Sequence, residues 1–177
     1  MKLAFLPVLL LAISSAAPSP ARPMLLQDAQ GEQRVRLARP GFTPRALPKF
    51  TIKIDARNGG SQHLLMLAEQ MLPGAVIPWH RHLHADEIVY TENGTIDVRV
   101  GARAQRLGAH ATVFIPQDTW VTIRNAGSAP VRLVAVFDRP DFDGFLRCTS
   151  VPAGASARPL DRAAMARCME LGQVEYR

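Results

Sequence analysis

Residues 74–94 read GAVIPWHRHLHADEIVYTENG, and the reading of this stretch decides the fold. His80 and His82 stand two positions apart. On a strand they point to one side, because successive side chains alternate faces. Glu87 follows after four intervening residues, room for a tight reversal and the start of the next strand. Neighbouring strands lie about 4.8 Å apart, so the Glu87 carboxylate is expected to meet both imidazoles over one open site. Imidazole with carboxylate suits a divalent ion (Fe, Mn, Ni or Zn), and two His with one carboxylate is a non-haem iron arrangement.

Gly74, His80, His82, Glu87 and Gly94 fill the spacing Gly-x5-His-x-His-x4-Glu-x6-Gly. This resembles the first motif of the cupins, and the flanking letters resemble the small single-domain cupins called quercetin-dioxygenase-like. Five set positions over 21 residues make the match specific. The resemblance implies an all-β fold, a cupin-type double-stranded β-helix (jelly roll) barrel with a site in its mouth.

Cupins usually carry a second motif, Gly-x5-Pro-x-Gly-x2-His-x3-Asn, whose His is a fourth ligand. Here the matching stretch is HATVFIPQDTWVTIRN, from His110 to Asn125. Pro116 and Asn125 fall in register, but His110 and Asp118 take the two Gly positions and Val121 takes the His position. A valine cannot bind a cation, so that ligand is absent unless another residue substitutes. A three-ligand site with open positions for water, substrate or dioxygen is then expected. A barrel that holds only an organic ligand is the alternative.

Three other histidines could complete the site. His84 continues the alternation of His80 and His82 but stands where the chain must turn toward Glu87. His63 lies on the preceding predicted strand and can face the barrel. His110, at a turn six residues before Pro116, is expected to be remote. Alternation also names pocket-lining residues. Val89 shares a face with Glu87, and Thr119, Val121 and Ile123 are in phase on the second-motif strand. Trp79, Arg81 and Tyr90 fall on opposite faces. Asp97 and Arg99 are expected outside as a solvated charge pair, with Ile96, Val98 and Val100 inside.

The strands recur at short spacing after Lys49, near 62–72, 77–82, 86–92, 95–101, 104–107, 111–115, 119–125 and 130–138. Pro73-Gly74, Asn93-Gly94 and Ala126-Gly127-Ser128 punctuate them. Many short strands with such turns fit a barrel or sandwich rather than an α/β fold. Asp161 can cap a short C-terminal helix running through Leu171, with Gly172 at its end. The first residues, MKLAFLPVLLLAISSAA, read as a secretory signal with cleavage after Ala16, too short for a membrane span. The expected organisation is a signal peptide at 1–16, a proline-rich N-terminal extension at 17–48, a cupin barrel at 49–140 and a tail at 141–177. One short strand is expected within the extension, at Gln33–Leu37.

A secreted or periplasmic location follows from that leader. Export would place Cys148 and Cys168 in an oxidising compartment, where a disulfide is expected; free buried thiols are the alternative. Arginine supplies 18 of the 21 basic residues, and the net charge is +6. The basic residues are scattered, with no block and no interleaved aromatics, which argues against nucleic acid as a partner. No later stretch is apolar enough to span a membrane. No Ser–His–Asp arrangement or phosphate-cradling loop is present.

Two readings of function remain open from the sequence. One is an exported protein that binds a divalent metal and a small molecule, for which the family label implies dioxygenase-like oxidation, with isomerisation also open. The other is a non-catalytic cupin that binds a small ligand at a degenerate metal site. The resemblance also admits a homodimer.

Overall fold

The computed structural model describes residues 20–42, 49–156 and 158–177, so the leader read at 1–16 lies outside the described residues. Among the described residues, twelve strands and two helices follow one another. They are β1 (Glu32–Arg36), β2 (Lys49–Ile54), β3 (Leu65–Met71), β4 (Val76–His82), β5 (Glu87–Thr91), β6 (Ile96–Val100) and β7 (Arg103–Leu107). Then come β8 (Thr112–Ile115), β9 (Val121–Asn125), β10 (Val131–Phe137), α1 (Phe142–Cys148), β11 (Ser150–Pro152), α2 (Arg162–Leu171) and β12 (Val174–Tyr176).

The strands form two sheets, in the orders β11-β1-β2-β3-β10-β5-β8 and β12-β4-β9-β6-β7. Every pairing is antiparallel. Alternation builds each strand. On β10, Val131, Leu133, Ala135 and Phe137 are buried while the residues between them are partly open. On β5, Glu87, Val89 and Thr91 turn in, and Ile88 and Tyr90 turn out. The inward sets meet as one core that includes Leu67, Met71, Ile96, Ile115, Ile123 and Phe137. Each such side chain contributes about 2 kcal/mol of burial energy.

Three features differ from the sequence expectation. The strand in the proline-rich segment is not an isolated piece: β1 lies between β11 and β2 and completes the larger sheet. Asp97 pairs with Arg106 rather than Arg99, because the register sets Asp97 directly opposite Arg106 on β7. Arg99 lies instead over the Trp79 ring. A second helix, α1, forms at Phe142–Cys148, where only a tail was read; Phe142, Phe145 and Leu146 bury its inner face.

The tail closes one end of the sandwich. α2 begins as expected, with the Asp161 side chain accepting from the Ala164 N–H at 2.7 Å. A Cys148–Cys168 disulfide ties α2 to α1. β12 then pairs with β4, setting Val174 opposite His82 and Tyr176 opposite His80. β4 is thereby held from both sides, by β9 and β12.

Candidate metal centre

The two histidines owe their positions to an irregularity in β4. Between Ile77 and His80 the register against β9 shifts by one residue. Pro78 stands in the bulge, where a missing N–H does no harm to the ladder. The extra residue lets Ile77 and His80 both line the same cavity, which strict alternation would forbid. The Pro78 carbonyl lies 2.8 Å from His80 Nδ1. A proton on Nδ1 donated to that carbonyl leaves Nε2 as the nitrogen free to bind.

Glu87 comes from the other sheet. β4 and β5 are not ladder neighbours, so the carboxylate reaches the imidazoles across the sandwich rather than along a hydrogen-bonded pair. The reversal at 83–86 carries the chain from one sheet to the other. Asp86 braces it: its carboxylate accepts from the Gln117 N–H at 2.8 Å, and its N–H donates to Asp138 at 3.0 Å. One ligand atom from each of His80, His82 and Glu87 lies within 4.8 Å of the others. All three residues are buried.

His82 Nε2 approaches Glu87 Oε2 at 3.4 Å, within ion-pair range but not aligned as a hydrogen bond. Both nitrogens of His82 and Glu87 Oε2 are buried without a hydrogen-bond partner among the described residues. Orphaned polar atoms in a protein interior are costly unless something binds them, and His82 Nε2 and Glu87 Oε2 face each other at one point. The donor set, two imidazoles and one carboxylate, fits a divalent transition metal. Burial, and then the neighbouring His82, lower the His80 pKa to about 4, so the ring is neutral and ready as a ligand at pH 7.

Aromatic rings wall the site. His82 is packed edge-on against Phe142 at 4.4 Å and Phe137 at 5.0 Å, and Tyr176 stacks on His80 at 5.6 Å. These contacts fix the ring planes and keep bulk water away. Burial also pushes the Tyr176 phenol above its ordinary pKa, so it keeps its proton at neutral pH.

The cavity beside the cluster is small, about 50 Å³. Of the lining residues expected from alternation, Ile123 borders it. Val89 and Val121 are buried in the core behind it, and Thr119 is half-buried in the turn before β9. His63 and His84 are exposed and stand outside the cluster. Val121 lies opposite His80 on β9, so no ligand comes from the usual fourth position.

Several lining residues escaped the sequence reading: Arg36, Arg39 and Phe42 from the N-terminal segment, Glu69 from β3, and Phe145 and Tyr176 from the tail. Only Glu69 carried a signal. It is in phase with Leu65, Leu67 and Met71 on a face that is otherwise apolar, and a lone acid there marks a partner or a site. It forms an ion pair with Arg36.

The family model for the cupin domain matches residues 68–137. The tetracenomycin polyketide synthase protein TcmJ of Streptomyces glaucescens is 25% identical over 152 residues, which cover 77% of this chain and 97% of that protein. Among solved structures, an RmlC-like cupin from Shewanella frigidimarina aligns with a TM-score of 0.45 at 20% identity, over 54% of this chain and 77% of that one. An oxalate oxidase in complex with the substrate analogue glycolate aligns with a TM-score of 0.49 at 21% identity, over 55% of this chain and 53% of that one. The family match at residues 68–137, on the strands that carry the motif, identifies a cupin domain within the chain.

Proposed function

We propose that His80, His82 and Glu87 hold one divalent metal ion, and that the cavity beside it takes a small molecule for a metal-dependent, dioxygenase-like oxidation. The orphaned polar atoms of His82 and Glu87 carry this reading. Three protein ligands leave coordination positions for substrate or water, as catalytic sites do. A bound metal would supply Lewis acidity and, as iron or manganese, a place for dioxygen.

The chain's own groups then have distinct tasks. The Pro78 carbonyl fixes the His80 tautomer. Phe137 and Phe142 orient His82 and exclude water. Tyr176 offers a protonated phenol at the cavity wall. The narrow cavity favours a small substrate, or the small head group of a larger one. The second reading, a non-catalytic binding cupin, draws its support from Val121 at the position of the usual fourth ligand.

Elemental analysis of natively purified protein decides between them. About one equivalent of Fe, Mn, Ni or Zn is expected, lost in the His80→Ala, His82→Ala double variant. Metal-free protein that still binds its ligand would favour the second reading. Val121→His is expected to raise metal retention, at about 1–3 kcal/mol of stability for overfilling a packed position. The proposal extends to export through the leader at 1–16, with a secreted or periplasmic mature chain beginning at Ala17. Mass spectrometry of the exported protein reads that terminus. Among the described residues no helix is long and apolar enough to cross a membrane. A homodimer is read by sedimentation velocity.

A further inference from the structure

One charged group in the cavity is not explained by the metal. Arg39 is buried, only 8% exposed, and it lines the same cavity as His80, His82 and Glu87. Its Nη1 has no hydrogen-bond partner among the described residues, and no carboxylate lies within ion-pair distance of it there. Glu69, an acid lining the same cavity, is already engaged by Arg36. A guanidinium removed from water without an anion carries a large desolvation cost.

The chain holds this group still. Arg39-Pro40-Gly41-Phe42 is a tight turn, closed by hydrogen bonds from the Phe42 N–H to the Arg39 carbonyl at 3.0 Å and from the Arg39 N–H to the Phe42 carbonyl at 3.2 Å. Gly41 has φ +72°, as a type II turn requires after Pro. The turn lays the Arg39 guanidinium over the Phe42 ring at 3.9 Å, with Phe145 at 5.6 Å and Tyr176 at 5.7 Å on its other sides. Stacking of this kind fixes the plane of the fork, with the Tyr176 hydroxyl beside it, and leaves Nη1 free to donate.

Formal charge favours an anion as the occupant. Arg36 and Glu69 cancel, and Glu87 offsets one charge of a divalent metal. Arg39 and the remaining metal charge then face one small cavity. We propose that Arg39 anchors a carboxylate, so that the ligand of this site is a small carboxylic acid held by a two-pronged hydrogen bond from the guanidinium. The inference rests on the metal-site reading for the other end of the ligand. Arg39 itself lies outside the matched residues 68–137, so the family match does not supply it.

The probes are lactate and its neutral isostere lactamide, titrated calorimetrically into protein loaded with Mn²⁺. Lactate is expected to bind about tenfold or more tightly than lactamide, since a charged hydrogen bond is worth about 1.5–3 kcal/mol. Arg39→Met should remove that preference while its metal content stays unchanged. Arg39→Lys should keep part of it, because an ammonium keeps the charge but loses the fork. In the His80→Ala, His82→Ala variant, a weaker preference for lactate should survive, which separates failure of the metal reading from failure of this one. Equal binding of acid and amide, no binding of either, or wild-type lactate affinity in Arg39→Met would overturn the proposal. If Arg39→Met fails to fold, Arg39→Lys carries the test, and an unchanged preference there overturns it.

Discussion

At the scale of single residues, the degenerate second motif keeps its backbone while losing its letters. Its two glycine positions hold His110 at φ +61° and Asp118 at φ +58°. Both sit in the left-handed region that favours glycine. Each has a local contact that helps to hold it there. His110 Nδ1 meets the Tyr90 hydroxyl at 2.9 Å, and Asp118 pairs with Arg81 at 2.9 Å. His110→Gly is therefore expected to leave stability within about 1 kcal/mol of wild type, on the stabilising side, because relief of strain outweighs one exposed hydrogen bond. A urea midpoint that falls would contradict this.

His80 gives a pH dependence at the same scale. Its pKa is lowered from 6.5 to about 4 in the fold, so the unfolded chain binds more protons between those values. Stability of the metal-free protein should be complete above about pH 6.5 and decline as pH falls toward 4, by up to roughly 3 kcal/mol. Urea midpoints measured near neutrality and near pH 4.5 should differ, and the difference should shrink in a His80→Gln variant.

Among the elements, the tail matters most to the site. α1 supplies Phe142 and Phe145, and β12 supplies Tyr176. Their placement depends on close fits. A Cβ at Gly172 would come 2.2 Å from Phe145 Cβ, so only glycine lets the chain pass from α2 to β12 against α1. The disulfide reinforces that contact across a separation of 20 residues. Cys168→Ser is expected to cost about 3 kcal/mol in the chain-entropy model, and reductant should lower the melting temperature of wild type but not of the variant. Equal melting with and without reductant would show that the bond adds nothing.

Across the whole molecule, the N-terminal segment is bound into the fold by charge as well as by β pairing. Arg147 on α1 bonds Glu32 on β1 at 2.5 Å, Asp55 after β2 at 2.5 Å and Asp143 at 2.6 Å. Asp55 is fully buried. Lys53 donates to the carbonyls of Gln27 at 2.9 Å and Gln30 at 2.7 Å. Arg147→Met should strand the Asp55 carboxylate and destabilise the protein by about 3 kcal/mol. Amide exchange should then quicken in β1 before β10. Because β1 leads directly to Arg39, the same variant should weaken carboxylate binding without removing metal.

The first motif, the strand alternation and the caps of α2 were legible in the letters, because they depend on local periodicity and on contacts a few residues apart. His80, His82 and Glu87 could be named, and their convergence expected, for the same reason, but that they meet across two sheets rather than between neighbouring strands could not be read. The bulge at Pro78, the α1 helix and the approach of Arg39 were not legible. The bulge depends on β9, α1 on the disulfide to α2, and Arg39 on Phe145 and Tyr176 far along the chain, and no local pattern encodes such partners. Sequence by itself determined an all-β cupin with a clustered ligand set. Only the tertiary structure decided which charges share its cavity, since burial and the lack of a counter-ion belong to the packed chain and to no single segment of it.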